Sequence, residues 1–369
     1  MKERFEGELA RKWREQRVKR ILESYRVEDV KNYVNEMNAP RAICWEITNI
    51  CNMKCMQCYA YNKNIKDTPL TRTEEANLIE DFAANSVKAV ELTGGEPLLR
   101  EDIFDLAQDI KDKGIRVSLA TAGVEITDAI IDKLKPLGIS TVYIGIDGCK
   151  PSTNDAIRGR KGHFELVLHN VQKLIDAKIP VSLNTTVMNK NADEVPKIFD
   201  SLIANGIDVM KISGFNILRL KPTGRATNKL APSLLKWQEI CKWYTETILG
   251  AEYWGAPYPT GTVKTEDRRL VSQLIGGCLA GRFLIAISVT GDVFPCLFFR
   301  KKVGNIRDSS FIKIYRESPI LQDLRDRSRL GGKCGTCDKR EVCGGCRAQA
   351  FYEKNDHLAS DSCFYNRVE

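Results

Sequence analysis

Apolar and polar positions alternate in a repeating order through the first two thirds of the chain. Short runs rich in β-branched and aromatic residues read as strands: "AICWEIT" (42–48), "AVELTG" (89–94), "RVSLAT" (116–121), "TVYIGID" (141–147), "PVSLNTT" (180–186) and "VMKISGF" (209–215). Between them, apolar residues recur three and four apart, which predicts helices over 71–85, 101–114, 127–138, 164–178 and 192–206. Thr73 is the expected cap of the first of these, and Gly114 the stop of the second. Another helix is expected from about Pro232. Ahead of the first strand, residues 5–36 read as a charged helix.

Strands alternating with helices predict parallel strands joined by crossover helices. Six such units suit a partial barrel better than a closed one of eight, with the chemistry at the C-terminal ends of the strands. The expected fold is therefore α/β: a partial (β/α)6 TIM-like barrel followed by a C-terminal cysteine-rich domain. The alternation stops in "GAEYWGAPYPTGTVKTEDRRL" (250–270). The expected division is an N-terminal charged helical extension over 1–40, the barrel over 41–250 and the cysteine-rich domain over 251–369.

Composition narrows this only slightly. A hydrophobic content of 43% and a charged content of 28% are those of an ordinary globular chain. No apolar run approaches the ~18 residues of a membrane span, so no membrane partner is expected. The N-terminus, "MKERFEGELARKWREQRVKR", lacks the apolar core of a secretory signal. The net charge of +8 reads as a solvated basic surface. No basic–aromatic motif for RNA is present, so no nucleic-acid partner is expected. The cytoplasm is the expected location.

The thirteen cysteines change the picture. They are clustered: Cys51, Cys55 and Cys58 at C-x3-C-x2-C, then Cys278, Cys296, Cys334, Cys337, Cys343, Cys346 and Cys363. Cys44, Cys149 and Cys241 stand apart and read as small buried residues. A secreted disulfide scaffold is short and carries a signal, so metal binding in a reducing compartment is the better reading. A closed zinc site or a fully ligated iron–sulfur cluster takes four protein ligands. Three thiols on the loop after the first strand leave one metal position open. On spacing alone, the C-x2-C pairs of the second group suit zinc as well as iron and sulfur.

The loop "CNMKCMQCYAY", with an aromatic after its third cysteine, and "ELTGGEP" after the second strand together resemble the radical SAM superfamily. The resemblance implies a [4Fe–4S] cluster held by Cys51, Cys55 and Cys58. Its open iron binds S-adenosylmethionine, which is cleaved by reduction to a 5′-deoxyadenosyl radical that takes a hydrogen atom from the substrate. It further implies an electron donor such as a ferredoxin or flavodoxin. Gly94, Gly95, Glu96 and Pro97 are implied at the methionine ammonium, with Glu96 as charge partner and Pro97 fixing the turn. Tyr59 is implied near the adenine and Arg158 at the carboxylate. Asn184 is a candidate polar contact to S-adenosylmethionine, whereas Thr121 is expected to be structural. "IGIDGCKPSTNDAIRG" (144–159) departs from the family wording at Gly145, where a serine is usual, and at Asn154, where a histidine is usual. The C-terminal cysteines resemble the SPASM extension, which implies one or two auxiliary [4Fe–4S] clusters. By that resemblance Cys334, Cys337, Cys343 and Cys363 hold one, and Cys278, Cys296 and Cys346 another.

"LRLKPTGRA" (218–226), "GCLAGRFLIAISVTGDVFPC" (277–296) and "VGNIRDSSFIKIY" (303–315) resemble the haem synthase and denitrifier-haem branch. That implies a tetrapyrrole substrate attacked at a propionate side chain. Arg219, Lys221 and Arg225 are candidate carboxylate partners. Maturases of ribosomally made peptides share much of this wording, so a peptide substrate is the alternative. A third reading is a non-catalytic iron–sulfur electron carrier, against which the complete S-adenosylmethionine motif argues. His163, His169 and His357 are few, and the first two read as structural.

Overall fold

The computed structural model describes residues 5–24, 37–61, 68–249, 277–341 and 343–362. All six expected strands form, the sixth shifted because Val209–Lys211 is a 3-10 turn: β1 (Ala42–Thr48), β2 (Ala89–Gly94), β3 (Arg116–Thr121), β4 (Thr141–Gly145), β5 (Val181–Val187) and β6 (Ile212–Arg219). They run parallel, each paired with the next. The helices Arg72–Ala84, Ile103–Asp112, Asp128–Leu137, His163–Asp176 and Ile198–Ala204 connect them. Alternate strand residues bury one face, through Val90, Leu92, Val117, Leu119, Val142 and Ile144. The other face carries half-buried polar groups: Cys44, Glu91, Ser118, Tyr143, Asn184 and Asn216. An inner face of this kind is a place for a polar guest rather than a second packed core.

Four local expectations are corrected. The first connecting helix is capped by Thr71, not Thr73. The Thr71 hydroxyl accepts from Glu74 N at 3.2 Å, and the Glu74 carboxylate accepts from Thr71 N at 2.8 Å. The helix predicted over 192–206 begins with a 3-10 turn, Val195–Lys197, because Pro196 has no N–H to donate. The α-helix itself spans only Ile198–Ala204. A helix not expected from periodicity, Pro151–Arg158, follows β4, with Pro151 in its first turn and Gly159 in a left-handed cap at φ 68°. The N-terminal helix is Gly7–Ser24, and residues 25–36 lie outside the described residues. Its charged sequence is anchored by Phe5 and Trp13. The Phe5 ring lies 4.1 Å from that of Phe199, and Trp13 Nε1 donates to Ile212 O at 3.1 Å.

The C-terminal region continues the barrel sheet across β1. β7 (Leu284–Ile287) pairs parallel with β1, and β8 (Asp292–Phe294) and β9 (Gly304–Asn305) follow antiparallel. The order is β6-β5-β4-β3-β2-β1-β7-β8-β9. Across this seam Arg300 grips the buried Glu46 of β1 with two hydrogen bonds, at 2.8 and 3.1 Å. Its guanidinium stacks 4.2 Å over the Phe294 ring. No described helix is long and apolar enough to cross a membrane.

Candidate functional site

The cysteine loop leaves the end of β1 and is held by main chain from three neighbouring strand ends. On the β2 side, Gly95 N donates to Thr48 O and Glu96 N to Ile50 O, both at 2.7 Å. A Cβ on Gly94 would overlap Thr48 O, and one on Gly95 would overlap Ile50 O. The glycine pair is therefore required by the approach of the cysteine loop itself. On the β4 side, Met56 N donates to Ile157 O at 2.9 Å. A Cβ on Gly159 would come within 2.8 Å of the Lys54 carbonyl carbon. On the β6 side, Arg225 N donates to Cys58 O at 2.9 Å and Arg225 Nη1 to Cys55 O at 3.1 Å. The same guanidinium lies 3.9 Å over the Tyr61 ring.

Cys51, Cys55 and Cys58 are thus carried on a loop whose backbone is held from three sides. Burial pushes the Cys51 thiol up to about 11 and raises that of Cys58, each further raised by the charge of Cys55. Thiolates here are costly without a metal and favourable with one, so loading releases protons. A fixed loop with three such thiols fits a cluster that keeps an open iron.

Arg158 stands over this loop. Its Nε pairs with the fully buried Asp147 at 2.7 Å, and its guanidinium faces Cys55. Asp147 also accepts from Thr186 N at 2.7 Å and from the Gln57 amide of the loop. The departure at Gly145 now has a reason, since a Cβ there would overlap the Arg158 guanidinium. So does the departure at Asn154. Its Oδ1 accepts from Asp147 N at 3.0 Å, and its Nδ2 lies 2.9 Å from His163 Nδ1. His163 Nε2 lies 3.1 Å from Ala122 O, which can only accept. The proton is therefore on Nε2, and Nδ1 accepts from Asn154. Burial holds this imidazole down at about 4. His357 pairs with Asp323 at 2.9 Å.

Glu96 is fully buried, and its carboxylate accepts from Leu98 N, Thr121 Oγ1 and Ala122 N at 3.1, 2.8 and 2.8 Å. It braces the ends of β2 and β3, and Pro97 opens the short turn that follows. Tyr59 reaches Thr93 Oγ1 at 3.1 Å and meets the Phe298 ring edge-on at 5.0 Å. Asn184 Oδ1 accepts from Asn216 Nδ2 at 2.9 Å on the inner face. Glu91 shares that face, in register with Cys44 and Ser118. Burial raises its carboxyl to about 7.

The second cysteine group surrounds a cavity of about 790 Å³. Cys278, Cys296, Cys334, Cys337, Cys343 and Cys346 all line it, while Cys363 lies outside the described residues. Burial raises Cys278 and takes Cys296 up to about 12, and both also feel the charge of Cys346. Those three thiols therefore lie near one another. Among the described residues, no three Cys, His, Asp or Glu side chains converge as the ligands of a single ion would. Thiols spread around a cavity fit a larger, multi-iron group.

The end of β6 forms another wall of this cavity, with Ile217, Arg219, Lys221 and Trp237. Arg219 and Lys221 thus reach it as expected residues, but Arg225 does not. Its guanidinium is spent on the Cys55 carbonyl and the Tyr61 ring, so it is a clamp on the cysteine loop. Cys241 lies in a small apolar cluster with Trp237 and Ile240. Sequence reading missed Asp147, Gln57 and Arg300. Only Asp147, inside the "IGIDG" wording, carried a signal there.

Comparison with known proteins agrees with this geometry. The Radical SAM superfamily model matches residues 45–202, and the SPASM iron–sulfur cluster-binding domain matches residues 278–347. The chain is 32% identical over 344 residues to an AdoMet-dependent heme synthase of Methanosarcina barkeri, covering 89% of this chain and 97% of that one. It is 30% identical to a pre-heme d1 synthase of Dinoroseobacter shibae, covering 89% and 87%. Among solved structures, Streptococcus suis SuiB bound to precursor peptide SuiA superposes with a TM-score of 0.67 at 16% identity, covering 92% of this chain and 80% of that one. A clamped three-thiol loop, a thiol-ringed cavity and 32% identity across nine tenths of the chain lead to one assignment. The chain belongs to the radical SAM superfamily, as an enzyme that uses a [4Fe–4S] cluster with S-adenosylmethionine and carries a C-terminal SPASM domain for auxiliary iron–sulfur clusters.

Proposed function

We propose that this enzyme acts on an iron tetrapyrrole and removes or decarboxylates a propionate side chain. The observation that carries the reading is the buried cation Lys221 on the β6 side of the cavity. The cavity lining includes the basic side chains Arg219, Lys221, Lys333, Lys339 and Arg340; Arg219, Lys339 and Arg340 pair with Glu353, Asp338 and Glu341, and among the described residues Lys221 and Lys333 have no carboxylate partner. Lys221 is 8% exposed, and its ammonium donates to Arg219 O at 2.9 Å. Among the described residues no carboxylate lies within ion-pair distance of it. A buried ammonium held only by a carbonyl is stabilised by an anionic guest. Ile217, Leu218, Trp237 and Phe298 supply apolar wall, which suits a flat macrocycle bearing carboxylates. The two haem-biosynthetic relatives, each matched over nearly nine tenths of this chain, support the same substrate class.

With cluster and S-adenosylmethionine bound, the cofactor pair supplies hydrogen-atom abstraction. The chain's own residues do the rest. The three backbone clamps keep Cys51, Cys55 and Cys58 in place. Arg158, fixed by Asp147, offers its guanidinium to a carboxylate beside them. Lys221 orients the anionic substrate edge, Arg219 is held beside it by Ser362 O and Glu353, and the apolar wall packs against the ring.

The test mixes the reduced, reconstituted enzyme and S-adenosylmethionine with iron-coproporphyrin. Loss of mass from propionate side chains, with one 5′-deoxyadenosine per event, is expected. Lys221→Met removes a charged hydrogen bond of about 1.5–3 kcal/mol, so porphyrin binding should weaken roughly tenfold or more. Absence of porphyrin binding, with only slow uncoupled cleavage, would overturn the reading and move the substrate to a peptide.

A further inference from the structure

Arg347 follows Cys346 and opens the helix Arg347–Lys354. It is 3% exposed. Its Nη1 donates to His357 O at 3.0 Å and Ala359 O at 2.8 Å. Its Nη2 lies 3.5 Å from Cys334 Sγ. Among the described residues no carboxylate lies within ion-pair distance of this guanidinium. A buried cation with only carbonyl partners is costly, so the sulfur it points to is where negative charge belongs. Asp361 approaches the same sulfur from another direction. Its Oδ1 lies 3.7 Å from Cys334 Sγ, and its Oδ2 accepts from Cys346 N at 2.8 Å.

Gly345 makes this meeting possible. A Cβ there would fall 2.5 Å from Arg347 Nη2, 2.7 Å from Asp361 Oδ1 and 3.0 Å from Cys334 Sγ. Three groups of different charge thus converge where only glycine leaves room. Surface packing does not require such an arrangement.

We propose that Arg347 and Asp361 set the reduction potential of the cluster ligated by Cys334, Arg347 raising it and Asp361 lowering it. The inference rests on Cys334 being a cluster ligand. Hydrogen bonds to ligand sulfur and nearby net charge are the protein's levers on cluster potential. The step is a gain of one electron by the bound cluster. Cys334 stays a thiolate, and no proton or bond is exchanged. The added negative charge is favoured by the Arg347 donor and opposed by the Asp361 carboxylate. Arg347 is a positioning residue in this sense, acting through the sulfur rather than touching substrate.

The test is a redox titration of the anaerobically reconstituted full chain, followed by electron paramagnetic resonance with dithionite as reductant. Read on the signal that Cys334→Ala removes, at the potential where it is half reduced in the parent, Arg347→Met should shift the reduced-to-oxidised ratio at least tenfold toward oxidised, about 59 mV for a one-electron couple. Asp361→Asn should shift it the other way. A purely structural role predicts no pair of opposite shifts. Unchanged ratios in both variants, with iron content retained, would overturn the proposal. Should Arg347→Met lose iron, Asp361→Asn decides alone. Cys334→Ala is the separate control: full iron content and an unchanged spectrum there would overturn the ligand assignment instead.

Discussion

Gly224 is where a single methyl group tests how the cysteine loop is held. Its φ is +65°, and an added Cβ would overlap Cys58 O and come within 2.7 Å of Tyr59 O. Both are main-chain atoms of the loop, so neither can swing aside as a side-chain tip would. Gly224→Ala should therefore push residues 223–226 away from the loop. The left-handed backbone costs an alanine about 1–2 kcal/mol. The neutral bond from Arg225 N to Cys58 O is worth about 0.5–1.5 kcal/mol, and the charged one from Arg225 Nη1 to Cys55 O about 1.5–3 kcal/mol. Loss of the two bonds comes to roughly 2–4.5 kcal/mol, about one and a half to three powers of ten in the opening equilibrium, on top of the backbone strain. Gly206→Ala is the matched control. Its φ is +82°, yet an added Cβ meets nothing within 4 Å, so it carries the backbone strain alone. Amide hydrogen exchange over residues 54–60 and iron per chain after reconstitution are the readouts. Faster exchange and loss of one cluster's iron in Gly224→Ala only is expected. Equal behaviour of the two variants would refute the clamp.

Three further outcomes follow from the same structure. Glu91 titrates near 7 when folded against its ordinary 4.5, so it favours folding at low pH and loses that contribution as pH rises between those values. Urea titrations should show Glu91→Gln gaining on the parent by about 3 kcal/mol from pH 4.5 to 8, and a pH-independent difference would contradict the raised carboxyl. His163 has the opposite sign: held at about 4 against an ordinary 6.5, it contributes stability that is lost as pH falls through that window. His163→Gln should accordingly be less acid-sensitive than the parent between pH 6.5 and 4, whatever its offset at neutral pH. Arg300→Met leaves Glu46 buried without its partner and should cost about 3–5 kcal/mol by urea midpoint, whereas the double variant with Glu46→Gln should recover most of it; a double variant as unstable as the single would argue against the pair.

The strand and helix order was legible because period is local. Val90 and Leu92 alternate with Glu91 whatever lies across the sheet. The cap at Thr71 was legible but missed: Glu74 stands three residues after Thr71 in capping-box spacing, whereas Ala76 follows Thr73 at that distance. The C-x3-C-x2-C loop and "GGEP" were legible as chemistry because ligand spacing is short-range. Their structural dependence on each other was not. Gly95 sits 45 positions beyond Ile50 in the chain, yet lies against its carbonyl.

The repeating β/α units, the two cysteine groups and the three-thiol loop at a strand end are all written in local residue order. Tertiary structure decided that β7 would extend the barrel sheet beyond β1, and that Arg225 would clamp a loop while Lys221 faces a cavity. It also decided that Arg347, Asp361 and Cys334 would meet over Gly345. The physical reason is that period and ligand spacing are fixed by neighbours along the chain. The partner of a charge or the room for a side chain is set by residues that only folding brings near.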